Sequence, residues 1–76
     1  MKVTATLEHW WHEPSPFNMI WGQIHDDVHD RYVEGTLIHT SSLKHPKEQV
    51  YKAGDIVTTR NSFYKLGRPK VFNDGI

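Results

Sequence analysis

The sequence contains no cysteine, and this absence excludes several kinds of chemistry at once. Without thiols the chain forms no disulfide, no thiolate metal site and no cysteine nucleophile. A small domain that is stable without disulfides suits a reducing compartment, so we expect a cytoplasmic protein. The chain also lacks any apolar run near the roughly 20 residues that a membrane-spanning helix needs. We therefore expect a soluble protein that is not exported.

An excess of charge of either sign is missing as well. Nine basic and nine acidic residues cancel to a formal net charge of +0. No general positive field then attracts nucleic acid, so a nucleic-acid role would need a local basic patch and is the weaker expectation. The mean hydropathy of -0.64 is low, but three Trp, three Tyr and three Phe supply enough apolar bulk for a folded domain.

The length of 76 residues limits the size of the core. We expect one small β domain over residues 1–76, which buries only about 60% of the surface of the unfolded chain. Burial of an edge or a face against a second copy would relieve this limit, so we expect a homodimer.

The first half of the chain shows two extended patterns. Val3, Ala5 and Leu7 alternate with polar residues, which predicts a first strand. Residues 9–13 break the alternation and prolines follow, so a loop is expected there. Residues 17–24 resume an apolar run, and the glycine inside this run predicts a bend in the second strand.

Turns and short strands follow one another in the second half. A tight turn at Glu34-Gly35 leads into a strand that begins at Leu37. Residues 49–52 and 56–60 read as further strands, and Asn61-Ser62 has the chemistry of a two-residue hairpin turn before a strand over 63–66. The tail 70–76 is expected to be either a last edge strand or flexible and frayed.

These patterns predict an all-β protein. The expected architecture is a small barrel of five to six strands or a strongly bent antiparallel sheet. The alternative is an α+β domain in which residues 25–31 or 43–49 form one short helix.

A loop rich in His and Asp is the first candidate for chemistry. His25 and His29 are four residues apart, and three aspartates accompany them. On a helix the two imidazoles would share one face and could bind zinc, which makes a metal-dependent hydrolase an alternative function. The spacing is generic, however, and a solvated acidic loop is the simpler interpretation. We therefore assign no metal ligand, no cofactor and no catalytic residue.

Three tryptophans form the second candidate. Trp10 and Trp11 are adjacent, so on an extended chain they point to opposite faces, and both cannot lie deep in one small core. One of them is exposed, caps the end of a barrel, or meets a partner. With Trp21 they are candidate interface or stacking residues, because an exposed indole suits both a nucleobase and a protein interface.

The third candidate joins two stretches, one that begins with the aliphatic pair Leu37-Ile38 and one that begins with Ile56-Val57. Each stretch ends in residues with hydroxyl groups. If they run side by side, their ends gather a rim suited to phosphate or nucleobase recognition. The alternative is an exposed sheet face followed by a simple turn. Arg60 is expected to be the most sensitive position, because its guanidinium makes bidentate contacts. The predicted ligand-binding residues are His39, Thr40, Ser41, Thr58, Arg60 and Asn61.

A longer pattern runs through residues 20–67. Its residues are Ile20, Gly22, Ile24, Asp27, Arg31, Tyr32, Gly35, Thr36, Ile38, His39, Thr40, Ser41, Gly54, Asp55, Ile56, Val57, Thr59, Arg60, Asn61, Ser62, Tyr64, Leu66 and Gly67. This pattern resembles a group of short proteins that tailed bacteriophages and prophages encode. The resemblance implies a phage or prophage origin and a role in the host cytoplasm, and it transfers no catalytic residue.

Small phage proteins of this size often bind a host protein or a signalling nucleotide. The resemblance therefore implies a non-enzymatic binding protein that acts against host defence, either by sequestering a nucleotide-like ligand or by blocking a host defence protein. A metal-dependent hydrolase and a single-stranded nucleic-acid binder are the alternatives.

Overall fold

Residues 2–71 of the protein are described by a computed structural model, and they form one five-stranded sheet. The order across the sheet is β3-β2-β1-β5-β4. The all-β prediction is confirmed, and the short helix considered for 25–31 or 43–49 is absent from this part of the chain. None of residues 2–71 belongs to a helix long and apolar enough to cross a membrane. The strands are β1 (Ala5–Glu13), β2 (Met19–His25), β3 (Leu37–His39), β4 (Ile56–Thr58) and β5 (Phe63–Leu66).

The sheet is mixed rather than antiparallel throughout. β1 pairs with β2, β2 with β3 and β4 with β5 in antiparallel fashion, but β1 and β5 run parallel, with Ala5 opposite Tyr64. The prediction of a purely antiparallel sheet is wrong at this pairing, because the β4–β5 hairpin returns alongside β1 in the direction of β1. β3 and β4 are the two edges and do not pair with each other, so the sheet is not closed into a barrel.

β1 continues through the segment that the sequence predicted to be a loop. Its register against β2 shifts between Glu8 and Trp11, so His9 and Trp10 together lie opposite Gly22. This is a β-bulge, and His9 adopts the left-handed region with φ of 51°. The extra residue displaces the alternation by one position, which is why the pattern looked interrupted.

Gly22 is required by the bulge that faces it. A Cβ atom at this position would lie 3.0 Å from the Cβ of Leu7 and 3.2 Å from the Cβ of Trp10. The irregularity expected in the second strand therefore belongs to β1, and the glycine in β2 allows the two strands to approach closely.

The core lies on one face of the sheet, where alternate residues of each strand point inward. Leu43 and the half-buried Tyr51, both from the long connection between β3 and β4, pack onto this inner face. The connection therefore covers the inner face, and the outer face carries the remaining strand side chains. The buried hydrophobic residues are Ala5, Leu7, Trp10, Ile20, Ile24, Ile38, Leu43, Val57, Tyr64 and Leu66.

Of the predicted turns, the one at Glu34-Gly35 is confirmed, since Gly35 has a φ of 85°. The strand predicted over 49–52 is wrong: these residues form no ladder, and Val50 is 89% exposed. The hairpin turn is shifted by one residue, because Thr59 N–H donates to the Ser62 carbonyl at 2.9 Å and leaves residues 60–61 at the tip.

The start of the predicted tail lies beside β1. Pro69 forms an isolated parallel bridge with Trp10, and Lys70 N–H donates to the Trp10 carbonyl at 2.9 Å. The remainder of the tail, residues 72–76, lies outside the described residues.

Candidate functional site

Four side chains form a continuous row across the outer face, which we call the aromatic ridge: Lys70, Trp11, Trp21 and His39. Trp11 lies directly opposite Trp21, and Trp21 lies directly opposite His39. The two indoles are stacked, with ring centroids 5.9 Å apart and planes 3° from parallel. The His39 ring lies 4.8 Å from Trp21, and the Lys70 ammonium lies 4.8 Å from the Trp11 ring centre. The ridge thus joins three strands and the chain after β5.

The members of the ridge pack against one another. Each indole contacts the other, Trp11 also contacts the Lys70 ammonium, and Trp21 also contacts the His39 ring. The Trp21 indole N–H also donates to the Glu13 carboxylate in a long bond of 3.5 Å. Parallel-displaced aromatic pairs and a cation over an indole are both favourable arrangements. The ridge therefore stabilises the pairing of β1, β2 and β3.

Trp10 has a different role from the other two tryptophans. It is 6% exposed in the core, and its indole N–H donates to the Gly67 carbonyl at 2.9 Å. The sequence required one of the adjacent pair to leave the core, and Trp11 is that residue.

A hollow of about 580 Å³ lies beside the ridge on the outer face. Trp11, Leu37 and Val71 supply apolar walls, while His9, Gln23 and Lys70 supply polar groups. His9 Nδ1–H donates to Gln23 Oε1 at 2.8 Å, and this bond fixes both side chains at the rim. The size lies within the range of about 300–1,000 Å³ that small-molecule sites occupy, and apolar walls with a few polar groups are typical of them.

The six predicted ligand-binding residues do not form one rim. Three of them, His39, Thr40 and Ser41, line a separate hollow of about 340 Å³, whose other lining residues are Phe17, Met19 and Ser42. Asn61 lines a third hollow, which includes Lys2, Thr4, Val28, His29 and Phe63. The division follows from the sheet order, because the segments after β3 and β4 leave opposite edges. A binding role for these residues stays a prediction.

Thr40 and Thr58 are engaged within the fold. Thr40 is 2% exposed, and its hydroxyl accepts from Ile20 N–H at 3.1 Å and donates to the Ser41 carbonyl at 2.7 Å. Thr58 lies in β4, where its N–H donates to a histidine ring nitrogen at 2.9 Å. Arg60 is exposed at the tip of the β4–β5 hairpin.

The loop rich in His and Asp is organised by the Asp27 carboxylate. It accepts bonds from the N–H groups of His29 and Arg31, at 3.1 and 3.0 Å, and from the Arg31 guanidinium. Burial acts to raise the pKa of Asp27, but these hydrogen bonds and the Arg31 charge outweigh it and lower the pKa. His25 pairs with Glu34 at 3.0 Å. In residues 2–71 no three His, Asp or Glu side chains form a group suited to holding a metal ion.

A polar cluster beneath the inner face was not predicted. His12 Nε2–H donates to Asn18 Oδ1 at 2.6 Å, and Asn18 Nδ2 donates to the carbonyl of His45 at 2.8 Å. The Tyr51 ring contacts both imidazoles edge-on, with centroids 4.9 and 6.0 Å away. Its hydroxyl is buried without a hydrogen-bond partner in the described residues, and burial followed by the Asp55 charge raises its pKa. No spacing in the sequence relates these four residues, so only the fold reveals the cluster.

No protein-family model, curated protein or solved structure matches the chain. Function is therefore inferred from the geometry of the outer face.

Proposed function

We propose that this chain is a small binding protein and that the hollow beside the aromatic ridge takes a nucleotide-like ligand. The observation that carries the proposal is the composition of this hollow, in which an indole and two aliphatic side chains lie next to a cation, an imidazole and an amide. A nucleotide has the complementary composition, namely a flat aromatic base, a polar sugar and an anionic phosphate.

The placement of the groups suggests how the ligand would lie. The base would pack against Leu37, which is 52% exposed, and against the edge of Trp11. The phosphate would approach Lys70, whose ammonium already lies over the Trp11 ring. His9 and Gln23, held together by their hydrogen bond, would meet the sugar or the polar edge of the base.

Two alternatives have less support from the geometry. A single-stranded nucleic acid needs exposed aromatic faces and positive charge, whereas the two indoles of the ridge already contact each other, Lys70 and His39, and the net charge is +0. A hydrolase that uses the loop of His and Asp needs available carboxylates, whereas the Asp27 carboxylate is engaged by the N–H groups and side chain of its own loop.

The biological role that we propose is counter-defence in the host cytoplasm by sequestering a signalling nucleotide. This part rests on the resemblance to phage and prophage proteins. A second candidate is the blocking of a host defence protein, and the observation that favours it is the exposure of apolar side chains around the hollow. Leu37 and Val71 would suit an apolar side chain of a protein partner as well as a base.

Titration calorimetry of the protein against a panel of mononucleotides and cyclic nucleotides tests the proposal. We expect one class of nucleotide to bind and Lys70→Gln to weaken its binding about tenfold or more, since a charge-assisted bond is worth about 1.5–3 kcal/mol. Lys65→Gln is the matched control, because it removes the same charge from an exposed position on β5 that does not line the hollow.

Two results would overturn this assignment. Failure of every nucleotide to bind would favour a protein partner instead. Loss of binding in Arg60→Ala, with normal binding in Lys70→Gln, would place the ligand at the hairpin tip that the sequence pattern favoured.

A further inference from the structure

The two edges of the sheet differ in how their backbone groups are satisfied. At the β4 edge, Thr58 N–H donates to His45 Nε2 at 2.9 Å, and the Thr58 carbonyl accepts from Lys44 N–H at 2.8 Å. The connection between β3 and β4 therefore covers the Thr58 end of this edge, where another strand would otherwise pair. Covering an edge in this way is one means by which proteins prevent unwanted strand pairing.

The hydrogen-bond pattern of β3 leaves the opposite edge open. Ile24 N–H donates to the Thr36 carbonyl at 2.9 Å, and Thr40 N–H donates to the Ile20 carbonyl at 2.9 Å. Bonding alternates along an antiparallel strand, so Ile38 lies between these two positions and directs its backbone groups toward β2. The N–H and C=O groups of the residues on either side of Ile38 must then point away from the sheet.

Those residues are Leu37 and His39. Within residues 2–71 no hydrogen bond is made to the backbone N–H or C=O of either one. Leu37 is also 52% exposed on the outer face, next to Gln23 of β2. This edge thus offers two donors, two acceptors and an apolar side chain with the spacing of a strand.

We propose that the β3 edge pairs with the β3 edge of a second copy, antiparallel and about a twofold axis at Ile38. Leu37 of each copy then faces His39 of the other, and each such pair exchanges two backbone hydrogen bonds. The pairing extends the five-stranded sheet of each copy into a single sheet of both.

The charges along β3 permit this symmetric arrangement. The same axis sets Thr36 opposite Thr40 and Glu34 opposite Ser42, so no two like charges face each other across the edge. Opposed like charges would otherwise repel in a symmetric pair. A second copy therefore meets no electrostatic penalty. The outward backbone N–H and C=O groups of its β3 edge match those of the first copy, because backbone pairing does not depend on the side chains.

The partner also reaches the hollow described above, because Leu37 forms one of its walls. His39 of the second copy would lie against Leu37, so each hollow gains an imidazole from the other copy. The strand pairing itself does not rest on the proposed function. The edge is only three residues long, so the contact is smaller than the roughly 1,000 Å² of a stable interface, and the dimer is weak and reversible.

Amide hydrogen exchange and sedimentation of the unliganded protein, from about 10 µM to about 1 mM, test the pairing. We expect sedimentation to move from monomer toward dimer and the amides of Leu37 and His39 to become protected over the same range. The amide of Ile38 is the internal reference, because its bond to Gly22 of β2 protects it at every concentration.

Leu37→Lys should leave the protein monomeric, because the partner's edge would then meet a cation in place of an apolar side chain. Val50→Lys is the control, since it adds the same charge at an exposed position outside the sheet, and it should dimerise as the parent does. The proposal is overturned if the parent stays monomeric at about 1 mM, or if it dimerises while the amides of Leu37 and His39 exchange freely. Neither result depends on whether a nucleotide binds.

Discussion

At the scale of single residues, His45 covers the Thr58 position of the β4 edge with one ring nitrogen. Its Nε2 accepts the Thr58 N–H at 2.9 Å. Its backbone carbonyl accepts from Asn18 at 2.8 Å, which ties the same residue to the start of β2. His45 therefore holds the connection between β3 and β4 against two separate strands.

Replacing His45 with Phe keeps a ring against Tyr51 and removes the acceptor. We expect the free energy of unfolding to fall by about 1–3 kcal/mol, because the Thr58 N–H is left without a partner. Urea denaturation measures the change, and His29→Phe is the control at an exposed histidine. Equal stability of the two variants would mean that the ring nitrogen contributes nothing to folding.

Asp27 should make the free energy of unfolding depend on pH. Burial acts to raise the pKa of Asp27. The hydrogen bonds from His29 and Arg31, together with the positive charge of Arg31, outweigh burial and lower this pKa below the unfolded value of about 3.9. A lowered folded pKa adds stability above the unfolded pKa, and this stability is lost as the pH falls through the folded pKa. The stability difference between the parent and Asp27→Asn should therefore be largest near neutral pH and shrink below about pH 4.

Urea denaturation of both proteins at several pH values measures this difference. Asp30→Asn is the matched control, because Asp30 has a φ of 52° that Asn also tolerates and its side chain is exposed. A difference between parent and Asp27→Asn that stays constant from neutral pH to about pH 3 would contradict the assignment.

Thr40 illustrates where sequence reasoning stops at this scale. The run of polar residues after Ile38 predicted hydroxyl groups that face water, a turn or a ligand. Thr40 is buried instead, because main-chain groups of Ile20 and Ser41 satisfy its hydroxyl. Those partners belong to other parts of the fold, so no local pattern could reveal them.

At the scale of elements, β1 shows why an alternating pattern can be misread. The alternation of Ala5 and Leu7 located the strand correctly, but the bulge at His9 and Trp10 moved later side chains by one position. A strict alternation of inward and outward residues cannot accommodate this extra residue, so the strand was predicted to end at Glu8 rather than at Glu13. The strand ends at Glu13, directly before Pro14, which lacks the N–H needed to continue the ladder.

The close contact of β1 and β2 at the bulge makes Gly22 sensitive to substitution. In Gly22→Ala the new methyl group would meet the Cβ atoms of Leu7 and Trp10 at 3.0 and 3.2 Å, and neither atom can move without its strand. We expect a loss of about 1–3 kcal/mol in urea denaturation.

Gly35→Asn is the comparison for this variant. Gly35 has a φ of 85° but no atom near its missing Cβ, and Asn is among the residues that tolerate positive φ. The change should therefore cost less than Gly22→Ala. The reverse order would show that steric room in β2 is not the constraint.

At the scale of the whole molecule, the all-β class could be predicted from the sequence, but the order of the strands in the sheet could not. Turn residues and short apolar runs marked four of the five strands within a few residues of their ends. The parallel pairing of Ala5 with Tyr64 left no local signal, because it depends on which sheet partner remains after the hairpins have formed. The aromatic ridge was hidden for the same reason, since it requires the registers of β1, β2 and β3 together.

The central position of β1 predicts how substitutions at its core face affect the whole domain. Leu7→Ala should cost about 2–5 kcal/mol, which is much of the roughly 4–11 kcal/mol expected for a chain of this size. Leu37→Ala is the control, because the same change is made at an exposed position. Thermal unfolding should show a large drop in Tm for the first and a small one for the second, and equal drops would mean that β1 is not the centre of the core.

The same arrangement governs when the protein can fold during its synthesis. β1 is synthesised before the other four strands, and its partner β5, which ends at Leu66, is synthesised last of the five. Until then only β2 and β3 are available to it, and the side of β1 that receives β5 has nothing to bind. The sheet is therefore complete only after β5 has been synthesised, and it depends on a pairing between strands distant in sequence, which forms slowly compared with local turns.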